Sequence, residues 1–155
     1  MLIAYSVPHL FAPGVSAREN AEGLRVLLDT LVNLNGWFLQ HYPVRPLYGS
    51  GVTYARTDLW ETIPALYADG YHGTDNPSSN FPRMRGRFGD CKSLSAALIA
   101  QYLIQGKGAE PVFRFDPRSG SNLYHILVRT AGGFEDPSVM LGMPADEAAR
   151  FSVQG

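Results

Sequence analysis

Gly89-Asp90-Cys91-Lys92-Ser93-Leu94 marks the point where a glycine-bearing loop turns into a helix, and it holds the chain's only cysteine. Asp90 is a good N-cap, because a carboxylate there accepts hydrogen bonds from amides that a first helical turn leaves without partners. Leu94, Ala97, Leu98, Gln101-Tyr102 and Ile104 then form one apolar side, which predicts a helix running to about Gln105 and closed by Gly106. Downstream, Leu123-Tyr124-His125-Ile126-Leu127-Val128 embeds a histidine in an apolar run. Gly132-Gly133-Phe134-Glu135-Asp136-Pro137-Ser138 sets an aspartate just beyond a glycine turn. Three strands are predicted, Glu110–Asp116, Leu123–Thr130 and Phe134–Asp136, the last two joined as a hairpin through Ala131-Gly132-Gly133.

Cysteine on a helix start, histidine on one strand and aspartate on the next is a way to build a thiolate nucleophile with an oriented base. The helix dipole and free amides favour an anion at Cys91, drawing a thiol down from its free pKa of ~8.5. The same amides can stabilise an oxyanion after attack on a carbonyl. A nearby His125 can pair with the thiolate and later protonate a leaving amine, while Asp136 fixes the imidazole tautomer. Strand alternation must place His125 and Asp136 on one sheet face, and a helix packed on that face would bring Cys91 to His125. Each residue alone has an ordinary reading: an inert buried thiol, a satisfied core histidine, an aspartate opening a turn. Chain order, element type and turn spacing together favour a joint site.

Working outward, Met1 to Val7 reads as a short strand ended by Pro8. Ser16-Ala17-Arg18-Glu19 is a capping box, and Leu24, Leu27, Leu28, Leu31, Leu34 and Phe38 predict a helix from about Ala17 to Gln40, frayed or kinked near Asn35-Gly36. Pro43 and Pro46 end it, and residues 43–60 form a connector. Asp58 to Ala68 is a short helix that Asp58 can cap and Pro64 interrupts. Residues 69–89 form the longest unstructured stretch, of the kind that is functional or mobile. A last short helix runs from Pro144 to Phe151. Trp37, Phe38, Tyr42, Tyr48, Tyr54 and Trp60 read as core and connector packing or, alternatively, as the lining of a substrate groove.

At 155 residues, with 45% hydrophobic and 17% charged residues, the chain reads as one globular domain over 1–155. It divides into an N-terminal part (1–68), the long loop (69–89), a Cys-His-Asp core (90–140) and a C-terminal tail (141–155). Thirteen basic residues against 14 acidic ones steer it to neither nucleic acid nor an anionic membrane. No apolar run approaches the ~20 residues that span a bilayer, and the first residues lack the positive region of a signal peptide. One cysteine excludes an intrachain disulfide and a cysteine-based zinc cluster, and a reducing cytoplasm is the simplest compartment. His9, His41 and His72 lack the spacing of a metal site, and Gly49-Ser50-Gly51 is too short for a phosphate loop. Arg83, Arg85 and Arg87 alternate before Gly89, either as a docking strip for an acidic partner or as a solvated loop.

The run Gly89 to Leu98, with Tyr124-His125-Ile126-Leu127-Val128 and Gly133-Phe134-Glu135-Asp136-Pro137, resembles the transglutaminase-like superfamily over roughly residues 86–140. Leu47 to Tyr54, Pro137-Ser138 and Leu141-Gly142-Met143 are similar to small members encoded by tailed bacteriophages. The resemblance implies an α+β, papain-like fold in which a cysteine-bearing helix packs on an antiparallel sheet. It implies Cys91 as nucleophile, His125 as base and acid, and Asp136 as orienter, without a cofactor or metal. The implied activity is that of a peptidase, amidase or acyl-transferase acting on an amide bond of a protein or peptide. A virion component with a vestigial site, bound to other virion proteins, and a peptidoglycan-degrading enzyme are the alternatives. The implied location is host cytoplasm or virion, with neither membrane nor nucleic acid as partner. Papain-type enzymes place a glutamine ahead of the cysteine, whereas Tyr71 to Asp90 contains none. Gln40, Tyr54, Trp60 or a backbone amide near Arg87 could supply the second oxyanion donor, with Asp90 supporting the nucleophile from behind.

Overall fold

The computed structural model describes residues 9–73, 79–120 and 122–155, so the strand expected over 1–7 lies outside the described residues. The first helix, α1 (Ala17–His41), begins at the capping box. Ser16 Oγ accepts from the Glu19 amide at 3.2 Å and donates to Glu19 Oε1 at 3.0 Å. Its buried stripe is Ala21, Leu24, Leu28, Leu31 and Val32. The helix is continuous through Asn35-Gly36, where a kink or fraying was expected. Asn35 is fully buried, and its Oδ1 accepts from the Ile63 amide at 2.8 Å. The polar residue is thus a tertiary contact rather than a helix break.

Residues 42–89 differ most from the sequence reading. A 3-10 turn (Leu47–Gly49) leads to β1 (Thr53–Tyr54), and α2 spans only Ile63–Leu66. Thr62, not Asp58, sits at its N-cap, and Pro64 lies in its first turn, where a missing N–H costs nothing. Among the described residues of the 69–89 stretch, expected to be unstructured, there are three strands: β2 (Gly70–His72), β3 (Met84–Gly86) and β4 (Phe88–Gly89). β2 and β3 form an antiparallel hairpin, and β4 pairs in parallel with β1. Strands this short show no readable alternation. His72, 1% exposed, anchors the hairpin: Nδ1 faces the Glu61 carboxylate at 2.9 Å and Nε2 faces the Ala68 carbonyl at 2.8 Å. Trp37, Tyr42 and Tyr48 are exposed rather than core. Trp37 stacks on His41, and Tyr42 on Phe38.

Helix α3 (Cys91–Ile104) follows its Asp90 N-cap. Every residue from Cys91 to Ala100 is buried, so this stretch is enclosed on all sides and not only along one apolar face, while Leu103 and Ile104, the latter expected on the apolar side, are exposed. It packs between α1 and the main sheet. Gly106, at φ +77°, closes it: its amide reaches the Leu103 carbonyl at 3.1 Å, and the Lys107 amide reaches Tyr102 at 2.9 Å. The sheet, in order β7-β6-β5-β8, is antiparallel throughout: β5 (Ala109–Phe115), β6 (Tyr124–Thr130), β7 (Gly133–Glu135) and β8 (Val153–Gln154). Between β7 and β8 lie α4 (Pro137–Met140) and α5 (Ala145–Ala149). β8 turns the expected C-terminal tail into an edge strand, pairing Phe115 with Val153. The architecture is therefore mixed α+β.

Side chains of α3 satisfy backbone groups of the elements around it. Ser95 Oγ donates to the Ile126 carbonyl at 3.0 Å, Ser93 Oγ accepts from the Glu61 amide at 2.9 Å, and Gln101 Oε1 accepts from the Leu47 amide at 2.8 Å. The far end is clamped by Glu135, whose carboxylate accepts from the Tyr48 and Tyr102 hydroxyls. At the near end, β1–β4 pairing sets Tyr54 beside Gly89. A Cβ on Gly89 would lie 2.3 Å from Leu66 Cδ1, and Leu66 is fully buried. Gly89→Ala is therefore expected to destabilise the fold by about 1–3 kcal/mol, read as a lower urea midpoint; an unchanged midpoint would mean that the contact is relieved freely.

Candidate active site

Cys91 is the first residue of α3, and Asp90 caps it as the sequence suggests. The cap uses amides that were candidates for oxyanion binding. Asp90 Oδ1 accepts from the Lys92 amide at 3.2 Å, and its carbonyl accepts from the Leu94 amide at 2.9 Å. Lys92 was not singled out in the sequence, yet it is only 5% exposed. Its ammonium donates to Asp90 Oδ2 and to the Thr57 carbonyl, the latter at 2.7 Å. Burial pushes the Asp90 carboxyl above its usual pKa, against the pull of Lys92. A lysine beside a capping aspartate in an apolar helix is the signal that could have revealed this buried pair.

His125 and Asp136 come together as the turn spacing predicts. His125 Nε2 donates to Asp136 Oδ2 at 2.7 Å. The β6–β7 register pairs Val128 with Glu135, so extending it by one sets Asp136 opposite Leu127, in the same alternating set as His125. Asp136 is also the N-cap of α4: its Oδ1 accepts from the Ser138 and Val139 amides at 3.1 and 3.3 Å. Both carboxylate oxygens are engaged, so the turn-opening role and the histidine-orienting geometry belong to one side chain.

The route from Cys91 to His125 differs from the expected one. Phe113, Phe115, Ile126 and Val128 share the core cluster with α3, and His125 alternates out of that set. The two residues meet instead where the starts of α3 and β6 converge on one cavity, lined also by Tyr54, Arg56, Thr57, Phe81, Tyr124 and Phe151. Burial pulls the His125 pKa down, but hydrogen bonds to Asp136 and to the Cys91 side chain, with the attraction of both groups, raise it to about 10. The Phe151 ring covers the imidazole, with centroids 5.5 Å apart.

Of the candidate supporting residues, Tyr54 and Asp90 line this cavity, whereas Gln40, Trp60 and Arg87 do not. Gln40 is exposed at the end of α1, Trp60 packs against the core, and the Arg87 carbonyl accepts from the Thr53 amide. Tyr54 was one aromatic among six in the sequence; the parallel β1–β4 pairing is what carries it to the cysteine. Burial, then Cys91, Glu147 and Asp90, push its phenol well above its ordinary pKa. Tyr124, which sequence reasoning passed over as a strand residue, is raised by burial, Cys91 and Asp90 in turn. Both hydroxyls therefore remain protonated donors at ordinary pH. Arg83 and Arg85 lie elsewhere, with guanidinium carbons 4.2 and 5.6 Å from the centroid of the Tyr71 ring. Among the described residues no group of three or more His, Cys, Asp or Glu could hold a metal ion, and no helix is long and apolar enough to cross a membrane.

Two measurements test these electrostatics. Lys92→Met leaves Asp90 buried beside no cation and is expected to cost about 3–5 kcal/mol in urea unfolding. Adding Asp90→Asn should recover part of that loss; no recovery would mean that the pair is not what Lys92 supports. His125, raised from 6.5 to about 10, contributes stability fully present below pH 6.5 and lost as pH rises through about 10. The melting temperature of the wild type is expected to fall more steeply between those values than that of His125→Gln, and parallel curves would contradict the pairing.

Comparison with protein-family models, with curated proteins and with solved structures finds no match to this chain.

Proposed function

We propose that the protein is a cysteine-dependent enzyme of papain-like, transglutaminase-like type that performs acyl chemistry on an amide bond of a protein or peptide. The observation that carries this reading is that His125, paired with Asp136 at 2.7 Å, lines the same cavity as the chain's only cysteine. With Asp136 accepting from Nε2 and the imidazole held in its charged form, the other ring nitrogen carries the proton given up by the thiol and faces the Cys91 sulfur. The Cys91 sulfur attacks the amide carbonyl carbon, and a C–S bond forms as the carbonyl oxygen takes negative charge. The Tyr54 hydroxyl is a neutral donor beside that oxygen, in place of the absent glutamine. Collapse of the intermediate breaks the C–N bond, and the imidazolium returns its proton to the departing amine. Water or a second amine then resolves the thioester.

A second reading, a phage structural or assembly protein with a vestigial site, draws on the burial of Cys91, which is 8% exposed. One experiment separates the two. Iodoacetamide is expected to label Cys91 at pH 6 much faster than it labels a cysteine in an unstructured peptide. His125→Ala should slow that labelling by about tenfold or more, in the range of general-base contributions. Labelling no faster than the free peptide and indifferent to His125 would remove the catalytic reading and leave the structural one.

A further inference from the structure

The cavity at Cys91 contains two charged side chains that no ion pair accounts for. Asp90 and Lys92 neutralise each other, and His125 faces Asp136. Arg56 and Glu147 also line the cavity, and neither forms a salt bridge among the described residues. Arg56 is nonetheless held in place: its guanidinium carbon lies 4.5 Å from the centroid of the Phe81 ring. Phe81 is fixed in turn by Ser79, whose hydroxyl accepts from the Phe81 amide and donates to its carbonyl, both at 3.2 Å. A guanidinium stacked on an aromatic ring keeps its in-plane N–H donors free for a carboxylate.

Glu147 reaches the same place from α5. Both charges act on the Tyr54 phenol, Glu147 disfavouring its ionisation and Arg56 favouring it, so both lie within electrostatic reach of the hydroxyl beside Cys91.

We infer that the site selects an amphoteric peptide, with Arg56 binding a substrate carboxylate and Glu147 a substrate ammonium group, while the amide between them is presented to Cys91. This rests on the acyl-transfer reading for the chemistry, but the charge selection is readable without any turnover. A substrate carrying both charges satisfies both poles at once, whereas a neutral amide leaves each desolvated against nothing.

Because the chain has one cysteine, thiol reagents report on this cavity alone. Methanethiosulfonates carrying a neutral hydroxyethyl, an anionic sulfonatoethyl or a cationic aminoethyl group provide the probes. In wild type, each charged-to-neutral rate ratio is expected to exceed that of a free cysteine peptide by about fivefold, as one unit charge at close range would give. Arg56→Gln should abolish the anionic advantage and spare the cationic one, Glu147→Gln should do the reverse, and Arg56→Lys should restore part of the anionic ratio. Ratios that match the free peptide, or that neither variant changes, would overturn the inference. The neutral reagent's own rate, compared between wild type and His125→Ala, tests the catalytic reading separately, so failure of one is distinguishable from failure of the other.

Discussion

A helical stretch enclosed on every side must have its polar groups met by protein, and the first ten residues of α3 set that requirement for the whole fold. Over its first ten residues there is little solvent to satisfy a cap, a lysine or a serine. Asp90 and Lys92 therefore neutralise each other, Ser93 and Ser95 bond the backbone of neighbouring segments, and Gln101 fixes the connector after α1. These same bonds place the surrounding segments. The 60–63 region is held by Ser93 and Asn35, the β6 strand by Ser95, and the Leu47 turn by Gln101. The cysteine at the start of this helix thus sits where the structure is least able to deform.

Burial at that point also governs the electrostatics. The capping carboxylate that makes α3 begin at Cys91 is itself desolvated, so a cation had to be buried with it. Lys92 fills that role, one residue after the nucleophile candidate. Across the cavity, His125 is buried too, yet it is held protonated by two partners rather than neutralised by desolvation. The site combines one internally balanced pair, one histidine biased toward its charged form, and two phenols kept neutral.

The parts of this arrangement legible in the sequence are those with local or strongly periodic signals. The capping box at Ser16, the N-cap at Asp90, the Gly106 stop and the glycine hairpin before Phe134 each have a mechanism within a few residues, and each is found in the structure. The juxtaposition of His125 with Asp136 followed from strand alternation across a tight turn. What stayed hidden depends on long-range pairing. β1 to β4 are two or three residues long, too short to alternate, and β8 carries only Val153 and Gln154. Asn35 looked like a helix breaker because its partner, the Ile63 amide, is 28 positions away. Lys92 could not be assigned to the site, nor Tyr54 chosen over Gln40, Trp60 and Arg87, for the same reason: the strand pairing and the cavity that select them exist only in three dimensions.

The parallel ribbon of β1 and β4 has a consequence of its own for how the cavity could be entered. Beyond the β1–β4 strand pairing, the wall bearing Tyr54 is tied to the rest by backbone bonds from Thr53 to Arg87 at 3.0 Å, Ala55 to Gly89 at 2.9 Å and Tyr54 to Leu141 at 2.8 Å. Breaking these three leaves α1, α3 and the four-stranded sheet untouched. Opening is easiest where so few bonds must be lost. That sets this short ribbon apart from the buried helix that carries the sulfur. The His125–Asp136 pair, on β6 and at the N-cap of α4, would stay assembled while the wall bearing Tyr54 shifts.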